Sequence, residues 1–74
     1  MIAKFRAYTV ELTDDGTLDT VVLVYPHIRP ERRTEMRYSG EMVSYYREKD
    51  GSFTEEKFRE FAKEVLEDYN NDLH

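Results

Sequence analysis

From Phe58 onward the apolar residues recur as Phe58, Phe61, Ala62, Val65, Leu66 and Tyr69. Steps of three and four residues gather these side chains on one stripe of an α-helix. The residues just before suit a helix start. Thr54 is a good N-cap, Glu55 and Glu56 sit at the positive end of the helix dipole, and Phe53 and Phe58 hold the two positions of a hydrophobic staple. The spacing predicts a helix over about residues 55–70. A helix with one apolar stripe must lay it on a second layer, and the rest of the chain reads mainly as strands. The expected architecture is therefore α+β: a three- to four-stranded antiparallel sheet with one C-terminal amphipathic helix packed on one face, in a single domain spanning residues 1–74.

The strands are expected at about residues 2–12, 18–28, 34–38 and 41–48. IAKFRAYTVEL alternates loosely and is rich in aromatic and β-branched residues, and TDDGT at 13–17 carries the aspartate and glycine chemistry of a hairpin turn. VVLVY at 21–25 is apolar on both alternating sides, as in a central strand. Pro26 and Pro30 bracket an irregular or one-turn connection, Met36 and Tyr38 alternate with Glu35 and Arg37 as in a strand, and EMVSYYRE at 41–48 is β-rich after a Ser39-Gly40 turn. With Leu12 opposite Leu18, one sheet face carries Phe5, Ala7, Thr9, Val21, Leu23 and Tyr25, and the other carries Lys4, Arg6, Tyr8, Val10, Val22 and Val24. One helix covers one face. The uncovered one, expected to hold Tyr8, Val22 and Val24, is read as a homodimer or partner surface.

Composition narrows the chemistry. At 74 residues the chain is near the size at which one core leaves only a few kcal/mol of net stability, so a second subunit or a partner is expected to contribute. Cysteine is absent and His27 and His74 are the only imidazoles, which argues against disulfides, thiolate catalysis and structural zinc. His27 reads as a polar residue leaving a strand, and the adjacent Asp14 and Asp15 read as turn residues. No phosphate-binding glycine motif, nucleophile elbow or calcium-loop spacing is present. No catalytic residue, cofactor or metal is assigned. The opening MIAKFRAYTV is not a leader and no apolar run approaches the ~20 residues of a membrane span, so a soluble, cytoplasmic protein is expected.

Two charged features remain. PHIRPERRTEMRY at 26–38 holds Arg29, Arg32, Arg33 and Arg37, a candidate anion site, but Glu31 and Glu35 lie among them. Residues 50–74 carry the whole net charge of −5, because acids and bases balance over residues 1–49. On the predicted helix Glu56, Glu60, Glu64 and Glu67 fall within an arc of about 80°, away from the apolar stripe. Like charges four residues apart on a helix cost a few tenths of a kcal/mol each, so an acidic ridge is a feature that stability alone does not favour. Lys63 is placed to pair with Glu60 and Glu67. The tyrosines Tyr8, Tyr45 and Tyr46 add rigid, amphipathic contact area.

These features lead to a non-enzymatic protein-binding module that presents Glu56, Glu60, Glu64 and Glu67 with Tyr8, Tyr45 and Tyr46 to a basic surface of a larger protein. In composition alone the chain is similar to small acidic inhibitors encoded by viruses and mobile elements, some of them nucleic-acid mimics. Its most concrete form is then an anti-CRISPR or anti-defence inhibitor acting in a host cytoplasm. A second expectation is a small nucleic-acid-binding regulator that uses Arg29–Arg37, ranked lower because the pI is 4.9. A third is a domain of unknown role with solvated charges.

Overall fold

The stripe on the C-terminal segment is met by a sheet. The computed structural model describes residues 1–15 and 19–72. Four strands, β1 (Ile2–Lys4), β2 (Tyr8–Asp15), β3 (Asp19–Pro26) and β4 (Thr34–Ser39), pair antiparallel in the order β1-β2-β3-β4. A short helix α1 (Gly40–Ser44) follows β4, and the 18-residue helix α2 (Glu55–Asp72) completes the expected α+β fold. Thr54 Oγ1 accepts the Lys57 N–H at 3.1 Å and the rings of Phe53 and Phe58 meet at 5.5 Å, so both the cap and the staple form.

Phe58, Phe61, Ala62 and Val65 of α2 are buried against Ala3, Val10, Val22 and Val24 of the sheet and Val43 of α1. The two groups of β2–β3 residues separate by face much as alternation predicts, but the covered face is the other one. Tyr8, Val22 and Val24 lie under α2, whereas Val21, Leu23 and Tyr25 lie on the side away from it. Cross-strand neighbours explain the choice. Val22 sits between Leu12 and Met36, and Val24 beside Val10, whereas Leu23 sits between Glu11 and Glu35. Laying a helix over Leu23 would strip water from two carboxylates; laying it over Val22 removes only apolar surface.

Three local expectations are corrected. Residues 2–12 do not run as one strand: Phe5 donates its N–H to the Tyr8 carbonyl at 2.8 Å and β1 folds back so that Ala3 faces Val10. The turn is held by α2, whose Arg59 stacks on the Phe5 ring at 4.5 Å and donates to the Lys4 carbonyl at 3.0 Å. Residues 41–48 do not form a strand either. Ser39 Oγ accepts the Met42 N–H at 3.2 Å and starts α1, which turns Val43 into the core; Tyr46, further on, packs against it. Asp14 and Asp15 end β2 rather than forming the turn, because a bulge between Leu12 and Asp14 adds a residue and lets Asp15 face Thr20. The turn itself, with Leu18, lies outside the described residues at 16–18.

Arg47, just after α1, ties these pieces together. Its guanidinium pairs with both carboxylate oxygens of Asp15, donates to the Gly51 carbonyl at 2.8 Å and to Thr20 Oγ1 at 3.3 Å, and lies over the Phe53 ring at 4.3 Å. Gly51 turns the chain back with φ at +87°, where a side chain would be strained. The Arg47 side chain is only 15% exposed. Arg47→Ala is expected to destabilise the fold by roughly 1.5–3 kcal/mol, the usual loss for hydrogen bonds to charged groups. Arg47→Lys should recover little of it, since a point charge cannot reproduce the fork. Urea denaturation of the two variants reads both effects.

Candidate functional site

α2 carries its acids as the 3.6-residue period dictates. Glu56, Glu60 and Glu67 are exposed and Glu64 is half-buried. The segment after α1 brings Tyr45 and Tyr46 to the same flank. Tyr46 packs on Phe61 with ring centroids 5.5 Å apart and edge-on to Tyr45 at 5.2 Å, while Tyr45 itself is 83% exposed. Burial, then the neighbouring Glu64, Tyr45, Glu60 and Asp68, holds the Tyr46 phenol above its ordinary pKa of 10.0.

Among the described residues no ion pair engages Glu56, Glu60, Glu64 or Glu67. Lys57, on the same flank, pairs with Glu48 at 3.4 Å, and the expected pairing of Lys63 with Glu60 or Glu67 does not form among the described residues. Asp68 extends the acidic flank and was not among the predicted site residues. It accepts the Tyr38 hydroxyl at 2.9 Å. Its signal was its place four residues after Glu64, one helical turn along the same side.

Tyr8 is not part of this group. It packs edge-on to Tyr69 at 5.5 Å, and Tyr69 lies on the side of α2 opposite the ridge. The expected contact set therefore divides, with Tyr45 and Tyr46 joined to the carboxylates and Tyr8 working in the core.

The four arginines of the connection are also divided. Arg33 lies over the Tyr25 ring at 4.7 Å and pairs with Glu11 at 4.0 Å, and Arg37 pairs with Glu35 at 3.0 Å. Arg29 and Arg32 are exposed on the turn between β3 and β4, where the Arg32 N–H donates to the Arg29 carbonyl at 2.9 Å. His27 Nε2 shares a 2.8 Å hydrogen bond with Thr9 Oγ1, a buried hydroxyl that fixes the ring at the end of β3.

A groove of about 490 Å³ runs between β1 and the start of α2, lined by Met1, Ile2, Lys4, Glu55, Phe58 and Arg59 among others. Its Arg59 is already engaged by Phe5 and the Lys4 carbonyl. Among the described residues no cluster of three or more histidine, aspartate or glutamate side chains is arranged to hold a metal, and no helix is long and apolar enough to cross a membrane. Comparison with protein-family models, curated proteins and solved structures finds no match to this chain.

The Tyr46 environment has a consequence for stability. A phenol whose pKa is raised by folding contributes stability below its ordinary value of 10.0 and loses it as pH rises through the folded value. Above about pH 10 the unfolded chain gives up this proton more readily than the folded one. Tyr46→Phe is expected to flatten the fall in stability between about pH 9 and 11 relative to wild type, as read by thermal melts across that range.

Proposed function

We propose that this chain is a non-enzymatic protein-binding module that occupies a basic surface of a larger protein through the acidic flank of α2. The reading rests on one observation: Tyr45, 83% exposed and edge-on to Tyr46, which packs on Phe61 of α2, stands beside the helix that carries Glu56, Glu60, Glu64 and Glu67. An exposed aromatic beside uncompensated carboxylates offers a partner both a desolvating anchor and charge complementarity. Successive carboxylates four residues apart rise by about 6 Å along the helix, a row of negative charge suited to a groove that otherwise receives a phosphate backbone. An inhibitor of a nucleic-acid-processing or defence enzyme, of the anti-CRISPR kind, is the most concrete form of this reading.

Direct nucleic-acid binding by the Arg29–Arg37 segment is the weaker alternative. Glu11 and Glu35 engage Arg33 and Arg37, which leaves Arg29 and Arg32 on an acidic protein. So small a basic patch gives little of the phosphate-driven affinity on which such binding depends.

The test is to replace Glu56, Glu60, Glu64 and Glu67 together by Gln. Affinity capture with the wild-type chain, read by mass spectrometry, supplies the partner; titration of that partner then compares the two proteins. The variant is expected to bind at least about tenfold more weakly and to associate more slowly at low salt. It should keep its circular dichroism and be slightly more stable, since like-charge repulsion along the helix is removed. Equal affinity of the two proteins would remove the ridge as the contact surface.

A further inference from the structure

The sheet has two outer strands. β1 is three residues long, while β4 has six, contains no proline and pairs with β3 in unbroken register from Thr34 to Ser39. Its other side has no strand beside it among the described residues. Short edges, proline, bulges and edge charges are the usual protections against edge-to-edge pairing; β4 has only the last, and its two charges, Glu35 and Arg37, are of opposite sign.

We infer that β4 is a self-recognition edge: two copies of this chain pair β4 to β4 antiparallel, centred on Met36, and continue the sheet across the molecular two-fold. The argument is one of register and charge. In an antiparallel pair about a two-fold axis at Met36, Glu35 stands opposite Arg37 of the second copy, and Arg37 opposite its Glu35. Both residues are exposed on the sheet face away from α2, and within one chain they already pair at 3.0 Å. The dimer therefore closes a square of four alternating charges, each with an opposite charge along its own strand and another across the interface. On the other face Met36, half-buried at the margin of the core, meets its own copy.

Neighbouring registers lack this match. Shifting the axis by one residue to Glu35 sets Glu35 against Glu35 and Arg33 against Arg37; shifting it to Arg37 sets Arg37 against itself. Side chains directly opposite in an antiparallel pair share a face, so half-residue shifts that mix the faces are not available. Charge thus selects one register, and an interface built from one patch on both copies has the isologous symmetry of a closed dimer.

The inference stands on the β4 edge rather than on the proposed function, and its test uses residues other than those of the acidic flank of α2. Sedimentation equilibrium of the full chain from about 10 μM to about 1 mM is expected to show a species of twice the 8.9 kDa chain mass growing with concentration. Glu35→Arg alone and Arg37→Glu alone each put like charges across the axis, and each is expected to weaken self-association by about tenfold or more. Mixing the two variants puts an arginine pair against a glutamate pair and should restore association as a heterodimer. Circular dichroism confirms that each exposed-site variant is folded. A wild-type mass fixed at that of one chain over the whole range overturns the inference. So does a dimer that neither single variant weakens, or a mixture that fails to recover it.

Discussion

Arg47 is the interaction on which most of the arrangement hangs. A single guanidinium joins the end of β2 through Asp15, the start of β3 through Thr20, and the loop before α2 through the Gly51 carbonyl and the Phe53 ring. Each contact alone is modest. Together they fix where α2 begins, because Phe53 stacks within 6.0 Å of Phe61 and staples onto Phe58. With its first turn set, a helix of 18 residues has little freedom left in how its stripe meets the sheet, and the position of the acidic flank follows. The same clamp holds the chain between α1 and Gly51, and so sets Tyr45 and Tyr46 beside Glu60 and Glu64.

A second constraint is numerical: one long helix can roof only part of a four-stranded sheet. α2 lies toward β1 and β2, as the contacts of Arg59 with Phe5 and of Tyr69 with Tyr8 show, and α1 covers the β3–β4 side. The remaining face is kept wet by its own composition. Val21, Leu23 and Tyr25 lie among Glu11, Arg33, Glu35 and Arg37, and the Arg33 side chain lies across Tyr25. This roofing by long charged side chains lowers the apolar surface shown to solvent without a second helix. It also explains why Arg33 and Arg37 of PHIRPERRTEMRY look like part of a ligand site in sequence and behave as partners of Glu11 and Glu35 in the fold.

What was legible in the sequence is what depends on neighbours a few residues away. The period of Phe58, Phe61, Ala62 and Val65, the Thr54 cap and the Phe53 staple are local facts, and α2 follows from them. The alternation in VVLVY separates Val22 and Val24 from Val21 and Leu23, but which set is covered depends on the cross-strand neighbours Leu12, Met36, Glu11 and Glu35, and hence on register. α1 was hidden by β-favouring Val43, Tyr45 and Tyr46. Their spacing with Met42 also fits a helix, and the Ser39 cap with core contact for Val43 decides it. The break at Phe5–Ala7 has no glycine or proline to announce it and is set by Arg59, far along the chain. The acidic flank was visible as an arc of glutamates; its conjunction with Tyr46 was not, because it requires the Arg47 clamp.

The two charged proposals meet in one geometry. Tyr38 of β4 donates to Asp68, and Tyr46 faces Glu60 and Glu64, so the acidic flank of α2 lies on the side of the molecule that ends in β4. A two-fold perpendicular to the sheet at Met36 keeps both α2 helices on the same layer and turns their acidic flanks toward each other across the axis. Like-charged surfaces brought together in this way would oppose the proposed dimer, and the Glu35–Arg37 square on the other face would have to overcome them. A basic partner seated between the flanks would remove that repulsion. Its binding would then strengthen the β4 pairing, and by thermodynamic reciprocity the dimer would strengthen its binding by the same factor. A monomer would offer such a partner one row of carboxylates beside one tyrosine pair; the proposed dimer would offer two rows facing inward, and the added field would act on both affinity and encounter rate.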